Sequence, residues 1–462
     1  MGEMSCRRLR VPFCLCLTLL FSVLLNFSTL SFAKDLSEQE IQEVIKESMQ
    51  ELFTGNDFSP ELEKKQAVMK EMLKKGSLRK EALVTMIETV IVPVLNENNT
   101  SRYILKGIPE RLNALLSPYI EWEEAKETVW RACSRVIPDG EQLVIKIGTL
   151  GPSGTPWLNV PETMLIPQMA KLSDNKVIVK IFGGGVMGED TDILRKMDIG
   201  QLEGCGCTAL GILAASPETS VLLLPGMFRN YDEVDHISRI FRKELDSYFM
   251  ERGYILAAFI DTGFFYMFSK NKISGLADLR KQKVLTWFGS VETALCDELG
   301  VDATPVAVPE VASALSTGLA DTCLAPSAWM LGMQAYQYTN YYFRPAILYS
   351  PAAAVVSVHV KDKFRERFGL TKNLADNLTE MLVYEVNILE PEWRRQSRSY
   401  EAKSLKAFEL KCGMKSVELS PEDQKALEEA SRAVREKLAD KSFPKDLMNE
   451  MFDELDAYRA AL

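Results

Sequence analysis

The chain has 462 residues, a net charge of −10 and an ordinary globular composition, 47% hydrophobic and 26% charged. Its length accommodates two or three domains, and its acidity argues against nucleic-acid binding. With histidine only at His236 and His359, histidine-based triads and histidine-rich zinc sites have almost no material, and each lone imidazole reads as a surface or satisfied side chain.

The first 33 residues read as an export signal. Arg7, Arg8 and Arg10 precede an apolar core, Val11–Leu25, that is too short for a comfortable membrane span. Ser31-Phe32-Ala33 then offers the small residues a signal peptidase reads, so cleavage after Ala33 is expected. Cys14 and Cys16 sit inside the apolar core, which argues against a lipid anchor, and no later apolar run is long enough to hold the mature chain in a membrane.

From Asp35 to about Pro138 the pattern is helical throughout. Ser59-Pro60-Glu61-Leu62 has the form of an N-cap followed by proline at the first helical position, Gly76-Ser77 punctuates the next segment, and Pro93 and Pro109 are expected to end or kink helices. Residues 34–140 thus form an all-helical module without a motif that carries chemistry. A structural cap or a contact layer for a protein partner is expected, and residues from about Glu141 onward are expected to fold alone.

At Pro138-Asp139-Gly140 the pattern changes to alternating strands and helices. Leu143–Gly148 reads as a strand, Val160–Leu172 as a helix and Val177–Phe182 as a strand. The stretch Lys176–Asp190, KVIVKIFGGGVMGED, fits G-x-G-x-x-G at Gly183, Gly185 and Gly188. Yet Lys176 and Lys180 bracket the strand as on a partly exposed one, and Glu189, Asp190 and Asp192 already occupy the positive end of the following helix. A plain glycine turn fits better than a dinucleotide site.

Gly204–Leu210 and Val221–Leu224 read as further strands. In the first, Cys205 and Cys207 are expected on opposite sides, and a metal there would need more ligands. Cys133, Cys296, Cys323 and Cys412 are scattered, so no dense disulfide framework is expected. A helix at Tyr231–Met250, strands around Ile255–Phe268, and alternation through Thr322–Leu324 follow. After a strand pair at Ala346–Val358 the chain reads as wholly helical to Leu462, with Lys363–Glu390 long enough to run across more than one domain. Regular alternation of this kind implies an α/β architecture of open sheets with helices on both faces.

Three blocks between about Leu143 and Tyr458 carry a resemblance. They are Lys180-Ile-Phe-Gly-Gly-Gly-Val-Met-Gly-Glu with Ile193-Leu-Arg-Lys-Met-Asp-Ile-Gly, then Leu222-Leu-Leu-Pro-Gly-Met-Phe-Arg-Asn-Tyr-Asp-Glu. The third is Asn271-Lys-Ile-Ser-Gly-Leu-Ala-Asp-Leu followed by Pro309-Glu-Val-Ala-Ser-Ala-Leu-Ser-Thr-Gly-Leu-Ala-Asp. In this order and spacing the chain resembles the extracytoplasmic solute receptors of the tripartite ATP-independent periplasmic (TRAP) transporters. The resemblance implies a two-domain periplasmic binding protein fold with a hinge and long C-terminal helices. It divides the mature chain into domain I at 141–265 with part of 350–395, domain II at 266–349, and C-terminal helices at 396–462. It also implies a periplasmic receptor without a cofactor, which closes on a small ligand, mostly an organic acid in this family, and hands it to two membrane permease subunits.

The departures from the family pattern bear on the ligand. Where the resemblance places an arginine that forks onto the ligand carboxylate, this chain has Leu285. A second basic position is Phe265, and the acid–asparagine pair on the later strand is Leu324 and Ala325. Arg280 or Lys281 would be the replacement cation if the strand register slipped, although a one-residue slip turns a side chain to the other face. Trp157, Phe264, Trp287 and Trp329 fall where the domains face each other, and Thr149, Ser153 and Thr208 remain as neutral hydrogen-bonding groups. A largely apolar ligand is therefore expected. The alternatives are a carboxylate receptor with a relocated cation, or a ligand-sensing scaffold that uses the helical module. No acid/base pair with credible spacing suggests an enzyme.

Overall fold

A computed structural model describes residues 35–54, 58–97, 108–287 and 289–462, so the expected export signal at 1–33 lies outside the described residues. The helical module comprises α1 (Glu38–Thr54), α2 (Pro60–Lys75), α3 (Lys80–Glu97), α4 (Ile108–Leu116) and α5 (Trp122–Ser134). The Ser59 hydroxyl caps α2 by accepting from the Leu62 N–H, with Pro60 at the first turn. Neither Pro93 nor Pro109 ends a helix: Pro93 sits inside α3 and Pro109 near the start of α4.

One mixed sheet runs through the receptor in the order β2-β1-β3-β9-β4-β7-β5-β6. β1 (Leu143–Thr149), β2 (Val177–Phe182) and β3 (Gly204–Cys207) are mutually parallel at one end. β5 (Val284–Thr286), β6 (Ala303–Pro305) and β7 (Thr322–Pro326) form a second parallel set at the other. β4 (Tyr254–Ser269), buried at every position, joins the two sets. β9 (Leu348–Ser357) pairs antiparallel along β4 from Tyr254 to Phe265 and with β3 on its other edge, whereas β7 pairs with the last five residues of β4, Phe265–Ser269. β8 (Tyr341–Phe343) joins the end of β4 to β10 (Lys415–Val417).

Between these halves the β4/β9 register slips at Asp261/Gly263. Gly263 has φ +114°, and a Cβ there would lie 2.6 Å from the Glu401 carboxylate, so glycine is required for conformation and for space. Such a bulge in a strand shared by both domains is a suitable hinge.

Several elements differ from the expectation. The strand at Gly204 stops at Cys207, because Thr208 turns the chain into a helix, Ala209–Ala215. Val221–Leu224 is not a strand: Pro217–Leu223 forms a 3-10 helix, and an unbroken apolar run carries no period that distinguishes the two. The strand pair at Ala346–Val358 is the single strand β9. The long helix at Lys363–Glu390 is divided, with Gly369 left-handed at φ 65° ending one helix, Thr371 capping the next and Pro391 at the start of a third.

The module shares its core with the receptor. Ile87, Ile91 and Trp130 belong to one buried cluster with Ile145 of β1, Val179 of β2 and Met381 and Leu382 of the helix Lys372–Asn387. The Asn377 side-chain amide donates to the Leu95 carbonyl (2.8 Å), and the Trp122 indole N–H donates to the Tyr384 hydroxyl (3.0 Å). Lys126 and Glu385, each about 1% exposed, face each other at 3.5 Å. This arrangement opposes the expectation that residues from Glu141 onward fold alone, because the apolar faces of the module and of the receptor cover each other.

Candidate ligand cleft

The glycine turn after β2 is made by Gly184 and Gly185 at φ 65° and 75°. Their N–H groups donate to the Gly151 carbonyl (2.9 Å) and the Thr149 carbonyl (3.1 Å), so they are engaged within the protein. A Cβ at Gly183 would lie 2.4 Å from the Leu158 side chain. The turn thus fastens β2 to the loop after β1. Asp190, in the first turn of α6 (Asp190–Asp198), is fully buried and caps α7 (Ala209–Ala215). One of its oxygens accepts from the Thr208 N–H (3.1 Å), the Gly211 N–H (3.2 Å) and the Thr208 hydroxyl. Burial pushes the Asp190 carboxyl up to about 6, although these donors oppose the shift.

The C-terminal ends of β1, β3 and β5 face a narrow cavity of about 40 Å³, at the place where open α/β sheets bind ligands. The β1–β3 end of the sheet supplies Thr149, Trp157, Cys207 and Thr208, and the β5–β7 end supplies Trp287, Val308 and Trp329. The hinge strands add Ile260, Thr262, Ala352 and Ala353, and the floor is completed by Trp393 from α8 (Glu390–Leu410). Four of the chain's six tryptophans therefore meet in one cavity.

Five residues proposed from the sequence, Thr149, Trp157, Thr208, Trp287 and Trp329, line this cavity. Phe265 stands one layer behind, edge-on to Trp287 at 5.0 Å, and Trp287 meets Trp329 at 5.6 Å. Leu285, Leu324 and Ala325 are buried within β5 and β7, and Phe264 packs against Tyr231 and Tyr349; none of the four is among the lining residues. Ser153 is exposed beside the rim. Arg280 and Lys281 are both exposed, the first donating to the Leu299 carbonyl and the second to Asp278, so neither supplies a relocated cation to the cavity.

Sequence reasoning missed Trp393 and the hinge residues. Next to Trp393, Arg394 and Arg398 are committed elsewhere: Arg398 bridges Asp261 (2.7 Å) and Asp235 (2.6 Å), and Arg394 bonds Asp235 at 2.8 Å. Tyr349 donates to Asp261 at 2.6 Å, and Asp261's carbonyl accepts from the Trp157 indole at 3.0 Å. The hinge bulge is thus held by a half-buried ion network next to Trp393. Glu401, bonded to Tyr231 and to the Phe264 N–H, is pushed up to about 7 by burial.

Cys205 and Cys207 share one side of β3, contrary to the expectation, because residues two apart in a strand point the same way. Their sulfurs are joined as a disulfide. Together with Asp190 they make up the one group of three suitably close metal-ligand side chains among the described residues. With the two sulfurs bonded to each other, that group lacks the free thiolates a metal takes. The two histidines have partners: His236 bonds Glu454 (2.7 Å) and stacks on Tyr458, and His359 meets Asp362 at 3.2 Å.

The architecture and the inter-domain cleft define the class of a two-domain binding protein. The sequence profile of the bacterial extracellular solute-binding proteins, family 7, matches residues 147–442, and the chain belongs to this family, the receptors of TRAP transporters. A solute-binding protein of Verminephrobacter eiseniae is 24% identical over 198 residues, 42% of this chain and 59% of that one. The chain thus matches little more than half the length of this curated relative. Among solved structures, a sugar acid binding protein of Advenella mimigardefordensis in complex with galactonate has a TM-score of 0.62 at 22% identity, covering 69% of this chain and 99% of its own. A TRAP periplasmic solute-binding protein from a Polaromonas species bound to D-erythronate has a TM-score of 0.60 at 21% identity, covering 67% and 98%. Among the described residues no helix is long and apolar enough to cross a membrane.

Proposed function

We propose that this receptor captures a largely apolar small molecule bearing a neutral oxygen and delivers it to the membrane permease subunits of a TRAP-type transporter. One observation carries the ligand class: among the described residues that line the cavity there is no Asp, Glu, Lys, Arg or His. A carboxylate entering there would lose its water without gaining a cation, a penalty on the order of several kcal/mol. The missing charge-assisted bond alone corresponds to about 1.5–3 kcal/mol, an order of magnitude or more in affinity. Asp190, bonded to Thr208 of the lining, offers a ligand acid no positive charge either, and its own burial drives its carboxyl up to about 6. The solved relatives named above hold sugar acids, but where the resemblance places the acid-fixing arginine this chain has Leu285.

The polar groups that remain suit a neutral oxygen. The Thr149 hydroxyl donates to the Gly206 carbonyl and accepts from the Gly151 N–H, and the Thr208 hydroxyl donates to Asp190, so each keeps at most acceptor capacity for a ligand O–H. The Trp287 and Trp393 indole N–H groups are buried and have no acceptor among the described residues, so they suit a ligand oxygen. Apolar surface laid against the tryptophans contributes about 25 cal/mol per Å² before association costs. Thermal-shift screening of the full chain should show stabilisation by neutral apolar alcohols or ketones and none by succinate or sugar acids. Salt-sensitive stabilisation by a simple acid would refute the ligand class.

A further inference from the structure

The Cys205–Cys207 bridge spans a single glycine in a central strand. A disulfide stabilises a fold chiefly by closing a loop of the unfolded chain, and its effect grows with loop length. A purely structural purpose is therefore weak here, and the surroundings indicate another. The Cys205 sulfur lies 3.9 Å from an Asp190 carboxylate oxygen, whereas Cys207 lines the ligand cavity. Behind the pair there is no spare room: a Cβ on Gly211 of α7 would come within 2.8 Å of the Cys207 Cβ and 2.9 Å of the Asp190 Cβ. The side on which a reagent can reach the bridge is the cavity.

We propose that Cys205–Cys207 is a thiol–disulfide exchange site opening into the ligand cavity, reduced by a small thiol and coupled by its oxidation state to the shape of the cavity wall. The thiolate of the reductant attacks the Cys207 sulfur, the Cys205–Cys207 bond breaks, and its electron pair leaves on the Cys205 sulfur. Asp190, whose carboxyl burial raises to about 6, stands where it can hand that sulfur a proton. A second thiol of the reductant then attacks the mixed disulfide and frees Cys207 as a thiol. In sum two thiols become one disulfide, and the two cysteines gain two electrons and two protons. Once the bond is open the sulfurs must separate from about 2 Å to non-bonded contact. Cys205 is packed against Asp190, so Cys207 takes up the movement and its thiol advances into the cavity.

This inference is independent of the ligand's identity and is tested without one. The full chain is equilibrated across ratios of reduced to oxidised dithiothreitol, while tryptophan fluorescence, far-UV circular dichroism and iodoacetamide tagging are followed. Because four of six tryptophans line the cavity, fluorescence should change with the same midpoint as tagging of Cys205 and Cys207, at constant circular dichroism. Cys205→Ser/Cys207→Ser should abolish the fluorescence change. A bridge that resists reduction until denaturant is added would overturn the exchange site. So would free thiols at both positions in protein isolated under non-reducing conditions. Tagging of both cysteines without a fluorescence change in the wild-type chain would overturn the coupling to the cavity.

Discussion

Replacing Glu292 by glutamine should stabilise the protein in alkaline solution relative to acid. Glu292 opens the helix Ser290–Leu299 after Trp287, is 2% exposed, and has one carboxylate oxygen without a hydrogen-bond partner among the described residues. That oxygen lies 1.4 Å from where a Cβ on Gly289 would be, so the carboxyl is folded back against bare backbone. Burial raises its pKa from 4.5 to about 7. The folded state then holds the proton more tightly than the unfolded state, so stability is lost as pH rises through the window between these values. At pH 8 the ionised carboxyl costs about 3 kcal/mol, and at pH 5 about 1 kcal/mol. Glutamine does not titrate, and whatever its amide gains or loses by burial is the same at both pH values. The stability difference between Glu292→Gln and the parent should therefore be about 2 kcal/mol more favourable at pH 8 than at pH 5. Urea titrations of both proteins at the two pH values measure this double difference, in which the other buried acids cancel. Equal differences at pH 5 and pH 8 would show that Glu292 titrates normally and that the argument from its burial is wrong.

Lys126→Ala should destabilise the chain by about 3 kcal/mol or more at pH 8, because it strands Glu385 in the buried interface between module and receptor. At pH 5 the loss should be smaller, since Glu385, already raised to about 7 by burial, then takes a proton; thermal melts at the two pH values check the contrast. Deleting residues 34–140 should yield a chain that aggregates or melts without cooperativity, because Ile145, Val179 and Leu382 lose their cover. A soluble truncated protein with a sharp melting transition would show that the shared core is dispensable.

Local patterns were enough to identify the alternating strands and helices, the glycine turn and the Ser59 cap, because hydrophobic period, capping and turn chemistry act over a few residues. The family blocks were legible in the same way. Where a stretch is apolar throughout, as at Val221–Leu224, periodicity carries no information, and packing set the conformation. Cys205 and Cys207, two residues apart in β3, share one face by the period of two that strands impose. The cavity is a different kind of object: its walls come from Thr149 to Trp393, and no local rule assembles them. Tertiary structure alone placed Trp393 beside the hinge, set Phe265 a layer behind Trp287, and tied Arg394 and Arg398 to Asp235 and Asp261. Residue type indicates which side chains can bind a ligand. Whether they reach it depends on which sheet ends and helices meet, and that is decided by burial of the whole chain's apolar surface at once.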